Sequence, residues 1–312
     1  MSGSKNEARP KIARRALDGV LLLDKPLGLS SNDALIKAKR IYLAKKAGHT
    51  GTLDPLATGL LPLCFGEATK FSRFLLDADK RYVATVRFGV ATDTQDAEGK
   101  TIGTRPVAFG RDELLRALPA FLGEQMQVPP AHSALKYQGR SYYHYARAGI
   151  EIPREARQVR IDALTLLDWS PPDAVIDVCC GKGTYVRALA ADLGEALGCG
   201  AHLAALRRTG AGGFDLAAAT PLDAVEGLAP EGRAACLLPV DSLLAALPRL
   251  ELDAAAATDL HCGRHVPWPA ASVPADAPLL RAYDAAGSLV GVVRHEAGAL
   301  VPERMARDPL QC

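Results

Sequence analysis

Residues 48–59 read Gly-His-Thr-Gly-Thr-Leu-Asp-Pro-Leu-Ala-Thr-Gly, and they constrain the fold more than any other segment of this chain. Glycine reaches backbone conformations that other residues resist, and Pro55 disfavours helix at the residue before it. The segment therefore predicts a tight loop with one carboxylate, Asp54, at its centre. An aspartate in such a turn commonly bonds only its own backbone. Residues elsewhere in the chain favour a chemical role instead.

Hydrophobic periodicity predicts regular elements on both sides of this loop. An apolar run over residues 19–24 is typical of a buried strand. Ser30 or Ser31 can cap a helix that we expect to run to about residue 47, where Gly48 ends it. Alternation with period two over residues 82–90 predicts a strand. Further patterns predict helices over 112–122 and 185–197 and a strand over 174–180. This mixture indicates an α+β fold rather than a regular βαβ series.

The length of 312 residues, of which 48% are hydrophobic, allows one large domain and one small one. From about residue 250 the pattern changes to short strands and turns. Residues 279–283 and 289–293 predict a hairpin around Ala286 and Gly287. We therefore expect a small β-rich C-terminal domain.

Termini and cysteines indicate the cellular compartment. No apolar run approaches the ~20 residues of a membrane span, so we expect no membrane segment. The polar, basic N-terminus lacks the apolar middle of a signal peptide, and we expect a disordered basic tail over residues 1–17. The 7 cysteines contain no C-x-x-C pair. Reduced thiols in the cytoplasm are therefore expected, rather than a disulfide framework or a zinc site.

Two segments concentrate basic residues, although the net charge of the chain is only +2. Residues 131–160 hold six lysines and arginines against two acids, together with four of the chain's 8 tyrosines. Basic groups bind phosphates and aromatic faces stack on unpaired bases, so this segment predicts a loop that folds against RNA. The alternative is a surface segment whose tyrosines pack into the core. Residues 37–46 carry five bases, which either face phosphate or are merely solvated.

Residues 177–187 allow two interpretations. A strand ending in Asp177 and followed by Gly181-Lys182-Gly183 is similar to an S-adenosylmethionine loop. That interpretation needs an acid about twenty residues further on, and the region has none. The neighbouring Arg187 lies at the start of a predicted helix, close after a strand end. There it can pair with a carboxylate in a bidentate fork. If the partner is Asp54, the arginine lowers the pKa of that acid and keeps it ionised.

Several motifs together resemble the TruB family of tRNA pseudouridine synthases, and they follow the family's order over about residues 19–213. The C-terminal stretch resembles a PUA-type RNA-binding module. The resemblance implies a mixed, largely antiparallel sheet with flanking helices, plus a small β-rich PUA-like domain. The matching segments are residues 19–26, 30–32, 48–59, 66–70, 79–82, 183–187 and 203–210.

The resemblance implies conversion of uridine 55 in the TΨC arm of tRNA to pseudouridine, without metal, nucleotide or other cofactor. It implies a catalytic domain over residues 18–245, with an RNA-binding insertion at about 128–160 and a PUA-like domain over 246–312. His132 departs from the family, which usually carries an aromatic residue after Pro-Pro. We expect this departure to affect closure modestly and chemistry not at all. A monomer is expected.

Roles for single residues follow from the same resemblance. Asp54 matches the catalytic aspartate, Tyr82 the tyrosine that stacks on the target base, and Arg187 the arginine that pairs with the aspartate. His49 matches the histidine that helps to displace the target nucleotide during base flipping. The remaining matches line or brace the pocket: Leu206, Tyr185, Lys70, Lys25 and Pro26.

Alternatives remain at this point. The same surfaces would serve a non-catalytic RNA-binding protein or a tRNA-folding chaperone, although a binder has no need of Asp54, Tyr82 and Arg187 together. A guide-RNA-dependent relative that acts on rRNA would carry long extensions that this chain lacks. The sequence also leaves open whether Asp54 attacks the ribose C1′ or removes its 2′ proton.

Overall fold

The computed structural model describes residues 13–270, 273–274 and 277–307. Most of the tail expected over residues 1–17, and Cys312, lie outside these residues. Within them the strands are β1 (Gly19–Lys25), β2 (Ala47–His49), β3 (Ala57–Phe65), β4 (Lys80–Phe88), β5 (Val90–Thr92), β6 (Thr101–Thr104), β7 (Gly123–Gln127), β8 (Lys136–Tyr137), β9 (Arg140–Ser141), β10 (Arg157–Ser170), β11 (Asp173–Cys180), β12 (Ala201–Ala211), β13 (Phe214–Asp215), β14 (Thr220–Pro221), β15 (Leu237–Leu238), β16 (Arg249–Glu251), β17 (Val266–Pro267), β18 (Leu280–Tyr283), β19 (Leu289–Glu296) and β20 (Ala299–Met305).

Helices flank these strands. They are α1 (Ser31–Ile41), α2 (Ser72–Leu76), α3 (Arg111–Ala117), α4 (Tyr142–Arg147), α5 (Val186–Ala196), α6 (Leu222–Gly227), α7 (Pro230–Ala235) and α8 (Ala254–His261). Short 3-10 helices lie at Gly66–Lys70, Leu118–Phe121, Leu216–Ala218 and Val240–Leu244. The helix expected over 112–122 is thus α3 continued by a 3-10 turn.

A large sheet forms the centre of the molecule, in the order β14-β1-β3-β12-β4-β11-β10-β7. Three shorter strands pair with members of this sheet: β2 with β3, β13 with β12 and β15 with β1. Most neighbours run antiparallel, whereas β14 beside β1 and β12 beside β3 run parallel. This arrangement confirms the expected α+β fold with a mixed, largely antiparallel sheet.

The sheet core reflects the sequence periodicity only in part. On β4, Tyr82, Ala84, Val86 and Phe88 are buried, as the period-two pattern predicts. The central strand β12 was not predicted, because its sequence lacks β-branched runs and carries Arg207 and Arg208. β12 nevertheless pairs with β4 along its whole length and with β3 over residues 206–208. Tertiary context therefore overrides a weak local preference for strand.

Helix α1 ends earlier than predicted. Ser30 caps it by accepting a hydrogen bond from the Asp33 N–H at 3.1 Å. The helix stops at Ile41 rather than near residue 47, and Leu43 adopts a φ of +54°. Residues Ala47–His49 instead pair with β3. The ladder with β3 replaces helical hydrogen bonds, so the basic segment at 37–46 is split between a helix and a turn.

The basic, tyrosine-rich segment is more ordered than the expected loop. It contains the β8–β9 hairpin and the short helix α4. Tyr142 is buried, whereas Tyr143 is exposed and its ring carries the Arg147 guanidinium at 4.5 Å. His132 packs edge-on against the Tyr143 ring with centroids 5.9 Å apart. One tyrosine thus packs inward, and another presents an aromatic, cationic face to solvent.

A second sheet forms the C-terminal part, in the order β16-β18-β19-β20-β17. Strands β18 and β19 form the antiparallel hairpin predicted there. Its own apolar cluster includes Leu250, Leu260, Leu280 and Leu300. The Arg307 N–H donates to Glu67 Oε2 at 2.8 Å, which links the segment after β20 to the 3-10 helix after β3. The expected small β-rich C-terminal module is therefore present.

Candidate active site

Asp54 lies in a loop that is fixed at several points between β2 and β3. The Ser31 hydroxyl accepts from the Leu53 N–H at 2.7 Å and donates to the Leu53 carbonyl at 3.0 Å. The Asp54 carbonyl accepts from the Ala57 N–H at 3.0 Å. At Gly59 the φ is +97°, and a Cβ would lie 2.3 Å from the Arg208 carbonyl oxygen. Helix α1 and strand β12 therefore hold both sides of the loop.

The predicted ion pair between Asp54 and Arg187 is present. Arg187 Nη2 lies 3.1 Å from Asp54 Oδ2, and Arg187 Nη1 lies 3.3 Å from Asp96 Oδ2. The same guanidinium donates to the carbonyls of Thr94 at 3.2 Å and His132 at 2.7 Å. The expected bidentate fork on one carboxylate is wrong. The arginine is shared between two acids because its second nitrogen faces the turn after β5.

Sequence reasoning missed Asp96. It lies in the polar turn between β5 and β6 and is only 3% exposed. Its carboxylate accepts from the Thr94 hydroxyl at 2.6 Å and the Glu98 N–H at 3.0 Å. No motif distinguishes it from the neighbouring acid Asp93, and its burial arises only when the turn packs beside Arg187.

The electrostatics of Asp54 differ from the expectation. Burial raises the pKa of this carboxyl above its ordinary 3.8, and the negative charge of Asp96 raises that pKa further. Arg187 and Lys25 lower it, as predicted for Arg187, but the loss of solvent outweighs them. The side chain still has 42% of its surface accessible. Asp54 is thus an acid surrounded by protein yet open to a substrate from one side.

Tyr82 lies on β4 next to a buried cation that was not predicted as a site residue. Burial raises the pKa of the Tyr82 hydroxyl, and the adjacent Arg208 charge opposes that rise. Arg208 is 1% exposed and donates from Nε to the Leu60 carbonyl at 2.6 Å and from Nη2 to the Gly51 carbonyl at 3.2 Å. Its only sequence signal was its place in the matched segment 203–210. Arg208 connects the Asp54 loop, β3 and the Tyr82 side of the pocket.

Lys25, Leu206 and Tyr185 lie around the same recess. Lys25 is fully buried and donates to the carbonyls of Pro26 and Leu29 at 3.0 and 2.5 Å. Burial lowers its pKa to about 8, although the Asp54 charge opposes this. Leu206 on β12 is half-buried and pairs with Ala57 of β3, where the Asp54 loop ends. Tyr185 caps α5 two residues before Arg187, and burial raises the pKa of its hydroxyl.

Lys70 is not brought to Asp54, whereas His49 lies on β2 within reach of the Arg208 charge. His49 pairs with Leu63, well along β3, and both burial and the Arg208 charge lower its pKa. Lys70 lies beyond the far end of β3 and forms an ion pair with Glu67 at 2.7 Å. Strand β3 puts about 25 Å between its two ends, given the rise of an extended chain. The structure therefore does not group Lys70 with the pocket, in contrast to the prediction.

Other features of the described chain bear on alternative functions. Asp177, which the S-adenosylmethionine interpretation requires, forms an ion pair with Arg81 at 2.9 Å. Among the residues described, no group of three or more His, Cys, Asp or Glu side chains is placed to hold a metal ion. The helices in this part of the chain include none that is long and apolar enough to cross a membrane.

Comparison with known proteins gives consistent matches. A model of the TruB family pseudouridylate synthase N-terminal domain matches residues 39–186, and one of the tRNA pseudouridylate synthase B C-terminal domain matches residues 187–245. tRNA pseudouridine synthase B of Burkholderia mallei (strain ATCC 23344) is 56% identical over 300 residues, covering 95% of this chain and 96% of the relative. The protein of that name from Thiobacillus denitrificans is 57% identical over 295 residues, covering 95% and 98%.

Among solved structures, the crystal structure of a Cbf5-Nop10-Gar1 complex contains a chain that superposes with a TM-score of 0.70 at 25% identity. The superposition covers 92% of this chain and 84% of that one. The family models together match residues 39–245, and the relatives and the superposed structure extend the agreement to more than nine-tenths of the chain. This chain belongs to the TruB family of pseudouridylate synthases, isomerases that convert uridine to pseudouridine.

Proposed function

We propose that this TruB-family enzyme isomerises uridine 55 in the TΨC arm of tRNA, with Asp54 acting on a flipped-out nucleotide. One observation carries the proposal. The Asp54 carboxylate is held by Arg187 at 3.1 Å in a recess that leaves 42% of its side chain accessible. The relatives named above as tRNA pseudouridine synthase B support tRNA as the substrate.

The reaction needs a single carboxylate. The N1–C1′ glycosidic bond breaks, the base turns, C5 bonds to C1′, and the C5 proton is lost while N1 gains one. An ionised carboxylate starts this sequence by attacking C1′ or by removing the 2′ proton. Glycoside hydrolysis, by contrast, uses two carboxylates and admits water. Arg187 contacts Oδ2 of Asp54, so we assign Oδ1 to the ribose.

The detached uracil must stay in the pocket between bond breaking and bond formation. We assign this task to the Tyr82 ring, stacking on the base, and to Leu206 as an apolar wall. Excluding water from the closed site prevents hydrolysis of the intermediate. Lys25 and Tyr185 brace the pocket beside Asp54 and Arg187.

Extruding a base from the folded T-loop costs a few kcal/mol, which contacts outside the pocket must offset. We assign these contacts to the insertion at about 128–160 and to the PUA-like module from residue 246. Exposed Tyr143 and Arg147 support the first assignment, because they offer stacking and phosphate contacts on one face. His49 keeps its proposed part in displacing the nucleotide. Lys70, outside the pocket, is available for the RNA backbone.

One chain supplies Asp54, Tyr82 and Arg187, which supports a monomer as the active form. The described cysteines are all free thiols, which supports a cytoplasmic location. No cofactor is part of this proposal, because a carboxylate, a stacking ring and an arginine supply the chemistry it requires.

The decisive test uses unmodified tRNA whose uridines carry tritium at C5. The protein should release tritium from this tRNA, and replacing uridine 55 with cytidine should abolish the release. Asp54→Asn should abolish turnover while tRNA affinity stays within about tenfold (~1.4 kcal/mol). Release that persists without uridine 55 would refute the site assignment. A protein that binds tRNA and releases no tritium would be a binder or chaperone instead.

A further inference from the structure

Gln127 stands at the junction between the sheet and the insertion. It is the last residue of β7, the strand at the far edge of the large sheet, and the insertion starts directly after it. Its side chain is nearly inaccessible, with only 5% of the residue exposed. A buried amide requires hydrogen-bond partners, since leaving them unpaired destabilises the fold.

The Gln127 amide finds both partners on one residue of another element. Its Oε1 accepts from the Tyr185 N–H at 2.8 Å, and its Nε2 donates to the Tyr185 carbonyl at 3.1 Å. Tyr185 is the N-cap of α5, and its own side chain makes no capping hydrogen bond. The paired contacts therefore fix the backbone from which α5 starts.

Arg187 follows two residues later on the first turn of this helix. Its guanidinium reaches Asp54 and Asp96, and it also donates to the carbonyl of His132 at 2.7 Å. His132 belongs to the insertion, whose base is closed by the bond from Arg154 Nη1 to the Pro129 carbonyl at 3.1 Å. The root of the insertion is thus hydrogen-bonded to the start of α5 at two points, through the Gln127 amide and through the His132 carbonyl.

We propose that Gln127 is a positioning residue that sets Arg187 against Asp54 and couples the carboxylate site to the RNA-binding insertion. A movement of the insertion root would be transmitted to Arg187, because Gln127 holds the Tyr185 backbone at the N-cap of α5 and the His132 carbonyl accepts from the Arg187 guanidinium. The inference rests on the proposed function, since it assigns Gln127 to the isomerisation at Asp54.

The experiment compares Gln127→Met with Gln125→Met. Gln125 lies on the same strand, and its amide also bonds a backbone carbonyl, that of Leu122 at 2.9 Å, without contacting α5. Single-turnover isomerisation at saturating tRNA should fall roughly 10- to 100-fold in Gln127→Met, because small misplacement of a site costs that much. Its tRNA dissociation constant, and the rate of Gln125→Met, should stay within about threefold of wild type.

A second variant, Gln127→Glu, separates positioning from a general loss of folding. A protonated glutamic acid can accept from the Tyr185 N–H and donate to its carbonyl, whereas the ionised form repels that carbonyl. The ratio of its single-turnover rate to that of wild type should therefore rise as the pH falls. Dividing by the wild-type rate removes the pH dependence that the two proteins share.

A Gln127→Met rate within threefold of the control, or an equal loss of rate and affinity, would overturn the proposal. If Gln127→Met does not fold, a pH-independent ratio for Gln127→Glu overturns it. A wild-type protein that releases no tritium refutes the proposed function instead, so the two failures are distinguishable.

Discussion

Arg187 is the residue through which the charges of the site interact. Its guanidinium contacts both Asp54 and Asp96, so it holds these two carboxylates close enough for their negative charges to interact. Burial and Asp96 raise the pKa of Asp54, whereas Arg187 lowers it. The balance leaves an acid whose ionised form, the one required by either route at the ribose, is less favoured than in water.

This balance predicts where the isomerisation rate falls on the acid side of its pH profile. Because the folded-state pKa of Asp54 is raised, its ionised fraction falls already as the pH drops through a value above the ordinary 3.8. Asp96→Asn removes a charge that raises this pKa, so the acid limb should move to lower pH. Arg187→Met removes a charge that lowers it, so the limb should move to higher pH.

The measurement is the single-turnover rate against pH for wild type and both variants. The position of the limb is the readout, because both substitutions also reduce the absolute rate by loosening the ion pairs. Limbs that coincide in all three proteins would mean that Asp54 does not set the profile.

At the scale of elements, the close approach of β3 and β12 holds the Asp54 loop. Gly59 on β3 has a φ of +97° and faces the Arg208 backbone, where a side chain has no room. The Arg208 guanidinium then reaches back to the Gly51 carbonyl. Gly51 and Gly59 therefore serve backbone conformation, since both have a positive φ, and Gly59 also permits the close contact between strands.

Gly59→Ala should destabilise the protein by about 2–5 kcal/mol, since a Cβ there meets backbone and requires an unfavourable φ. The matched control is Gly213→Ala, where the φ is +84° but no atom lies within 4 Å of a Cβ. The control should cost only about 1–2 kcal/mol. Denaturant unfolding measures both, and equal losses would contradict the steric argument.

Elements differ in how well their sequences predict them. The strands β4 and β11 and the helix α5 carry clear periodicity and form close to the predicted bounds. Strand β12 and the end of α1 depend on partners distant in sequence. Arg208 can lie buried in a central strand because the carbonyls of Leu60 and Gly51 accept hydrogen bonds from its guanidinium.

At the scale of the whole molecule, positive charge is concentrated in local patches, although the net charge of the chain is only +2. The insertion places Arg140 and Arg147 at its surface, and Arg147 lies over the Tyr143 ring. Phosphate binding by such exposed side chains determines affinity and its salt dependence.

The double variant Arg140→Ser, Arg147→Ser should therefore weaken tRNA binding. Its log–log salt slope should become shallower by about 1 for each phosphate that the variant no longer binds. Single-turnover isomerisation at saturating tRNA should stay within about threefold of wild type, as the pocket is untouched. Arg116→Ser, at an exposed arginine of α3 that pairs with Glu113, is the control. A double variant with an unchanged salt slope would place the RNA elsewhere.

The sequence alone determined the α+β class, the small β-rich C-terminal module and the Asp54 loop, and the family resemblance implied the pairing of Asp54 with Arg187. These follow from local periodicity, turn chemistry and matched motifs. Only the tertiary structure decided that Arg187 serves two carboxylates, that burial raises the pKa of Asp54, and that Lys70 lies far from the pocket. Desolvation and charge sharing depend on segments that are distant in sequence and meet only in the folded chain.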